Sequence, residues 1–188
     1  MATTADIRNG LCLELNGDTY TVLEFLRFQT GRGAGFVRTK LKSLSTGKVI
    51  DYTFKSGHRI EEVRVERRKY QFLYGDEIGL HLMDQETYEQ ISVNKDMVNN
   101  AQLLKEGDVV DVLFHAAKEI PLTVELPQYV ILQVTYTEPG VRGDTATNAL
   151  KKAEVETGAT VMVPLFVNQG DFIKIDSSTG NYMERVKK

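Results

Sequence analysis

The chain has 188 residues, of which 41% are hydrophobic, with 26 acidic and 23 basic side chains and a net charge of −3. This length allows one large domain or two to three small ones, and the apolar content suffices for packed cores. The absence of a long apolar run or signal-like start, together with a single cysteine, Cys12, excludes a membrane span and a disulfide framework and predicts a cytoplasmic protein.

Residues 1–65 are predicted to form a small SH3-like β-barrel. Strand-like runs cover residues 7–15, 18–28, 36–44, 49–54 and 60–65, and no helical pattern separates them. The pair Asn16-Gly17 is a strong hairpin signal between the first two runs. Short strands at this regular spacing are typical of barrels.

The loop between the second and third of these strands combines glycines with one arginine. Glycine lets a backbone turn tightly and approach another surface closely, and Arg32 is the only long side chain at the tip. An ordinary surface turn would have the same composition, so the loop alone does not settle its role. The predicted tip-loop residues are Gly31, Arg32, Gly33, Ala34 and Gly35.

Basic residues dominate the surroundings of this loop. No acid occurs between residues 25 and 50, whereas residues 66–127 contain 12 acids and 6 bases. Because strand side chains alternate between faces, Arg38, Lys40 and Lys42 should share one face. Such a face suits a phosphate backbone. We therefore predict contacts with a nucleic-acid phosphate backbone for Arg27, Arg38, Lys40 and Lys42, which the family resemblance described below would assign to tRNA and rRNA.

Residues 66–127 and 128–188 are predicted to form two OB-type barrels. A short helix over residues 95–104, capped by Asn94, should interrupt the first of them. Tyr70, Phe72 and Tyr74 alternate, and we interpret them as a core face rather than a row of base-stacking aromatics. A long polar loop is expected between residues 137 and 152.

No catalytic constellation is recognisable. His58, His81 and His115 fall in different strands without metal-ligand spacing. The glycines at 31, 33 and 35 lead into a basic strand, so no helix N-terminus would hold a pyrophosphate. We therefore expect a protein that is not an enzyme and has no metal or cofactor.

Three regions of the sequence, one of them made of two segments, resemble the bacterial elongation factor P family. The most specific is KKAEVETGATVMVPLFVNQG at residues 151–170, which matches the C-terminal signature of that family along its full length. The segments YTEPG at 136–140 and GDTA at 143–146 are similar to its third-domain loop. FVRTKLK at 36–42 is similar to the strand that follows its tip loop.

This resemblance implies an all-β protein of three barrels, SH3-like and then two OB folds, in an L-shaped arrangement like that of tRNA. As a monomer, such a factor binds the 70S ribosome and its rRNA between the peptidyl-tRNA and exit sites, and rescues synthesis at consecutive prolines. The tip loop would reach the CCA end of peptidyl-tRNA. A third-domain loop of Arg142, Gly143, Asp144 and Thr145 would face the small subunit and the exit-site codon.

The tip departs from the commonest pattern of the family. Thr30 replaces a proline, and Arg32 replaces a lysine that is extended by modification. In a subset of the family an arginine at this position is rhamnosylated, usually with asparagine after it, where this chain has Gly33. Two hypotheses stay open: a tip-modifying enzyme rhamnosylates Arg32, or an unmodified Arg32 acts through its charge.

Alternative functions also stay open at this point. A general single-stranded RNA-binding OB protein would need exposed aromatic side chains to stack bases. A paralogue within the same family would share the fold without the same target sequences. An enzyme with an unrecognised site is the third alternative.

Overall fold

Short alternating strands joined by tight turns produce three β-sheets. The computed structural model describes residues 2–29, 35–139 and 149–187. Within these ranges no α-helix occurs. The all-β class with three β domains confirms the predicted fold class, whereas the exact domain boundaries stay predictions.

The first sheet has six strands in the order β1-β6-β2-β3-β4-β5, paired antiparallel throughout. Its strands are β1 (Ala2–Thr3), β2 (Cys12–Leu15), β3 (Asp18–Phe28), β4 (Phe36–Ser43), β5 (Val49–Lys55) and β6 (Arg59–Glu62). Asn16 and Gly17, both at positive φ, form the predicted turn between β2 and β3.

The second sheet has five strands in the order β11-β10-β7-β8-β9. Its strands are β7 (Val65–Gly75), β8 (Leu80–Asp84), β9 (Gln90–Val93), β10 (Val109–His115) and β11 (Ile120–Glu125). The expected helix over residues 95–104 is wrong, because two 3₁₀ turns, Lys95–Met97 and Ala101–Leu103, stand there instead. Asn94 caps the first of them by accepting from the Asp96 amide at 3.2 Å.

The third sheet also has five strands, in the antiparallel order β14-β13-β12-β15-β16. Its strands are β12 (Tyr129–Thr137), β13 (Leu150–Val155), β14 (Thr160–Pro164), β15 (Phe172–Asp176) and β16 (Tyr182–Val186).

By internal contacts the chain forms two units. The first comprises residues 1–68 and 112–124, and the second comprises residues 69–111 and 125–188. In the first unit the core of the first sheet consists of buried aliphatic residues and one phenylalanine. Its members are Ile7, Leu11, Leu13, Val22, Val37, Leu41, Phe54 and Ile60.

A β-bulge in β7 divides the aromatic row at residues 70–74. Tyr70 and Phe72 are buried, as the core interpretation predicts, but the pairing register with β8 shifts between Phe72 and Tyr74. A bulge reverses the facing of the residues beyond it. Tyr74 is therefore exposed and stacks on the ring of His81, with centroids 4.4 Å apart.

In the second unit the segment after β9 is attached to the third sheet. Leu103, from the second 3₁₀ turn, is buried in the core of the third sheet. The Asn100 side chain donates to the carbonyl oxygens of Ser177 and Ser178, and Lys105 forms an ion pair with Glu156 at 3.4 Å. Apolar burial, hydrogen bonds and an ion pair thus hold this segment in place.

Candidate nucleic-acid interface

A stacked pair of phenylalanines lies at the foot of the tip loop, which is the region where β3 ends and β4 begins. Phe28 at the end of β3 lies opposite Phe36 at the start of β4. Their ring centroids are 4.8 Å apart and their planes differ by 19°. Neither ring belongs to the core of the first sheet, and Phe28 keeps 40% of its surface exposed. The pair lies on the outer face, at the strand ends on either side of the loop.

Gly35 fixes the chain where the loop rejoins the sheet. A Cβ atom at this position would lie 2.8 Å from the Phe28 carbonyl oxygen, closer than real Cβ contacts. The Gly35 carbonyl in turn accepts a hydrogen bond of 2.8 Å from the Ser56 amide. The close approach requires glycine here and joins β3, β4 and the turn after β5 at one point.

Strand β4 places its three cations on the outer face of the sheet. Val37, Thr39 and Leu41 are buried on the inner face, so Arg38 and Lys40, like Lys42, point outward. The strand alternation behind the predicted cationic face is therefore confirmed.

The register changes the electrostatics of this face. Lys40 lies opposite Glu24 on β3 and opposite Asp51 on β5. Its ammonium is 3.6 Å from the Glu24 carboxylate. Glu24 and Asp51 immediately precede and follow the acid-free segment in the sequence. In the sheet they lie on either side of Lys40 and offset its charge.

Net positive charge on this face is concentrated near the loop. Arg38 has Leu26 and Thr53 as cross-strand neighbours, and neither is an acid. Its guanidinium carbon lies 5.8 Å from the Phe28 ring centroid. Lys55, which the sequence reasoning missed, lies opposite Phe36 and is exposed. The foot of the loop therefore combines two aromatic rings with two cations.

Arg27 lies on the other face of β3. It pairs across the sheet with buried Val37, and its guanidinium donates to the carbonyl oxygens of Ala5 and Ile7 at 2.7 and 3.0 Å. These bonds fasten the N-terminal segment to β3. The structure therefore does not bring Arg27 together with Arg38, Lys40 and Lys42.

A buried lysine joins the two described flanks of the third-domain loop. The Lys151 ammonium donates to the Glu138 carbonyl oxygen at 2.8 Å, and the Thr137 hydroxyl donates to the Lys152 carbonyl oxygen at 2.8 Å. Lys151 itself is only 9% exposed. These bonds connect the end of β12 to the start of β13, on either side of the loop.

Most of the predicted loop residues lie outside the described residues. They are Gly31, Arg32, Gly33 and Ala34 of the tip loop and Arg142, Gly143, Asp144 and Thr145 of the third-domain loop. In the described ranges no group of three histidine, cysteine or acidic side chains is placed to hold a metal ion. The described helical turns include none with the length and apolarity needed to cross a membrane.

The C-terminal signature alternates between the core of the third sheet and its surface. Its buried members are Lys151, Ala153, Val155, Ala159, Val161, Val163 and Val167. Gly158 and Gly170 occupy turns at positive φ. This stretch forms β13 and β14 of the third sheet, and its alternate side chains, among them Lys152, Met162 and Phe166, are exposed.

Comparison with known families covers nearly the whole chain. The family model for the elongation factor P KOW-like domain matches residues 3–60, that for its OB domain matches residues 65–124, and that for its C-terminal domain matches residues 130–185.

Relatives match over their full length. Elongation factor P of Flavobacterium johnsoniae is 56% identical, and elongation factor P 1 of Porphyromonas gingivalis is 54% identical, each with all of both chains covered. A solved structure named as eukaryotic translation initiation factor 5A from Methanococcus jannaschii aligns with a TM-score of 0.52 at 15% identity, over 67% of this chain and 90% of that one. That likeness concerns the fold alone. With three domain models matched in order and full-length relatives above half identity, this chain belongs to the elongation factor P family of translation elongation factors.

Proposed function

We propose that this protein binds the ribosome between the peptidyl-tRNA and exit sites and stimulates peptide-bond formation at consecutive prolines. In this proposal the tip loop of Gly31, Arg32, Gly33, Ala34 and Gly35 reaches the CCA end of peptidyl-tRNA. The observation that carries it is the foot of that loop, where the exposed Phe28 ring, the half-buried Phe36 ring and two cations without acidic cross-strand neighbours lie together in a member of this family.

Positioning suffices for this function. Proline restricts the geometry of the reacting groups because its ring fixes φ. A factor that holds the acceptor end of peptidyl-tRNA in a productive orientation lowers the entropic part of the barrier. Arg32 suits this task, since its guanidinium keeps its charge and presents five donors to phosphate and sugar oxygens.

The geometry ranks the predicted RNA-backbone contacts. Arg38 is exposed and has no acidic cross-strand neighbour, so it contributes most. Lys42, between Thr21 and Val49, comes next. Lys40 contributes less because Glu24 offsets its charge. Arg27 acts by holding the N-terminal segment under β3.

The second loop extends the proposal to the small subunit. Arg142, Gly143, Asp144 and Thr145 are proposed to face the exit-site codon. The anchoring of both flanks through Lys151 and Thr137 supports this, because a loop that must hold a position needs fixed ends.

Synthesis of a Pro-Pro-Pro peptide in a purified translation system tests the function. Native protein from its own host should accelerate synthesis, and Arg32→Ala should abolish the gain, while a peptide without consecutive prolines forms at the same rate in all reactions. No acceleration by native protein would overturn the proposal.

The same assay decides whether Arg32 needs a modification. If a recombinant copy without modification is inactive while the native protein works, a tip-modifying enzyme acts on Arg32. The peptide mass of the native protein then identifies the group, and rhamnose is the expectation. Equal activity of the two copies would support an unmodified arginine.

A general single-stranded RNA-binding function is the second candidate. Its support is Tyr74, which is 47% exposed and stacked on His81 in the OB sheet. In that case the protein would bind single strands of unrelated sequence at low salt, and Tyr74→Leu would lower its affinity for all of them. Binding to ribosomes but not to free single strands would exclude it.

A further inference from the structure

We infer that the foot of the tip loop is a stacking platform for an unpaired nucleotide at the 3′ end of a tRNA. Phe28 and Phe36 supply the aromatic surface, and Arg38 and Lys55 supply cations for its phosphates. The inference rests on the proposed binding of peptidyl-tRNA, and it assigns a role to strand residues below the loop rather than to the loop itself.

The aromatic pair has no role in the core. The rings stack on each other at 4.8 Å on the outer face, while the inner face of the same strands carries the buried Val37 and Leu41. Leu26, the next outward residue on β3, is 61% exposed. Leu26 and Phe28 adjoin on this face of β3, and a contiguous exposed apolar patch marks a contact with a partner.

The charge pattern selects nucleic acid as that partner. Around the two rings the cross-strand positions hold Lys55, Arg38, Leu26 and Thr53, and no acid. The first acids, Glu24 and Asp51, flank Lys40 in the row beyond Arg38. Aromatic rings beside cations are the combination that binds single strands, since bases stack on the rings while the cations follow the phosphates.

An unpaired end fits this platform better than a duplex. Bases within a helix are already stacked on one another and present only their edges. The platform lies where β3 and β4 lead into the loop, and Gly35 fixes those strand ends through the Ser56 hydrogen bond. A base that binds here therefore contacts strand ends that are already held in position.

Binding of two labelled RNA hairpins tests the inference directly. One carries a single-stranded 3′ ACCA end and the other is the same hairpin with a blunt end. The wild type should bind the ACCA hairpin at least about five-fold more tightly, the lower end of what base–aromatic stacking supplies. Equal affinity of the wild type for the two hairpins would overturn the platform.

Variants of the two rings test whether the preference for the ACCA hairpin comes from the platform. Phe28→Leu with Phe36→Leu should remove it, whereas Phe28→Tyr, which keeps a ring, should retain it. The matched control is Phe166→Leu in the turn after β14, because Phe166 is 57% exposed and also lies under an arginine, Arg185, at 5.6 Å. Loss of the preference in the control, or its survival in the double variant, would refute the assignment.

The salt dependence of affinity tests the role of the cations. Lys55→Gln should lower the slope of log affinity against log salt by about 0.7, the value for one phosphate contact of a single strand. Lys152→Gln removes an exposed lysine from the third sheet and should leave the slope unchanged. An identical slope for Lys55→Gln and wild type would exclude Lys55 from the platform.

The two proposals fail in different experiments. If native protein accelerates Pro-Pro-Pro synthesis but the platform variants do so equally well, the translational role stands and the platform falls. If the ACCA preference depends on Phe28 but synthesis is never accelerated, the platform stands and the translational role falls.

Discussion

The side-chain amide of Asn100 donates to the carbonyl oxygen of Ser177 at 2.8 Å, 77 positions further along the chain. A second bond of 3.2 Å reaches the Ser178 carbonyl oxygen. Asn100 adopts a left-handed conformation with φ of 56°, and Leu103, buried in the third core, follows three residues later. The bonds hold the connecting segment at the turn between β15 and β16.

Replacing Asn100 by glycine should destabilise the protein by about 1–2 kcal/mol, because two neutral hydrogen bonds are lost while the left-handed backbone is kept. Asn16→Gly is the control, since Asn16 has a similar φ of 53° in an exposed turn. Urea unfolding of both variants measures the difference. Equal destabilisation would show that the Asn100 bonds contribute nothing.

Gly35→Ala should cost about 1–3 kcal/mol and impair the translational activity, because the new Cβ meets the Phe28 carbonyl oxygen in a backbone that cannot give way. Gly75→Ala is the contrasting case, as its Cβ would lie 3.1 Å from the end of the Leu80 side chain, which can move. Denaturant unfolding together with Pro-Pro-Pro synthesis checks both. A fully stable and active Gly35→Ala variant would contradict the close contact.

Lys151→Met should loosen the third-domain loop. The side-chain volume is kept, but the hydrogen bond from the ammonium to the Glu138 carbonyl oxygen is lost. Backbone amides of residues 135–138 should then exchange hydrogen several-fold faster, since local opening follows the loss of local bonds. The neighbouring exposed Lys152, changed to methionine, should leave exchange unaltered. Unchanged protection in Lys151→Met would refute the anchoring role.

The hydrogen bonds of Asp76 predict that the protein loses stability at acidic pH. Its carboxylate accepts from the Gly79 amide, from His81 and from the Ile78 amide, and these bonds lower the pKa of Asp76 below its ordinary value of 3.8. A group with a depressed folded pKa stabilises the fold above its unfolded pKa. This contribution is complete above about pH 4 and is lost as the pH falls below that value toward the folded pKa.

Asp76→Asn should therefore flatten the stability profile between pH 5 and pH 2.5 relative to wild type. Glu77→Gln removes an exposed carboxylate from the same loop and is the matched control. Unfolding by urea at several pH values gives the profiles. Parallel curves for Asp76→Asn and wild type would contradict the hydrogen-bond assignment.

Alternation along single strands was predictable, because a period of two decides which residues are buried. Val37, Thr39 and Leu41 follow this rule without any knowledge of their partners. The pairing of strands was not predictable to the same degree. An acid-free run from 25 to 50 indicated a basic face, yet the register brings Glu24 and Asp51 to either side of Lys40.

Irregularities account for the other differences. The bulge between Phe72 and Tyr74 sends Tyr74 to the surface, and no local residue pattern signals it. The helical interpretation of residues 95–104 failed because Leu103 is buried in the third sheet, and short turns allow this. Tertiary packing of this kind overrides local preference.

The C-terminal signature and the tip loop hold two kinds of information in this chain. Val155, Val161 and Val163 lie in the stretch that resembles the family, and they build the third core. Thr30 and Arg32, where the chain departs from the commonest pattern, belong to a loop outside that constraint. Such buried side chains are closed to any partner, so they carry no information about what the protein binds. Relatives that share the signature are free to differ in the chemistry of the tip, so comparing their functions requires comparing their tip residues.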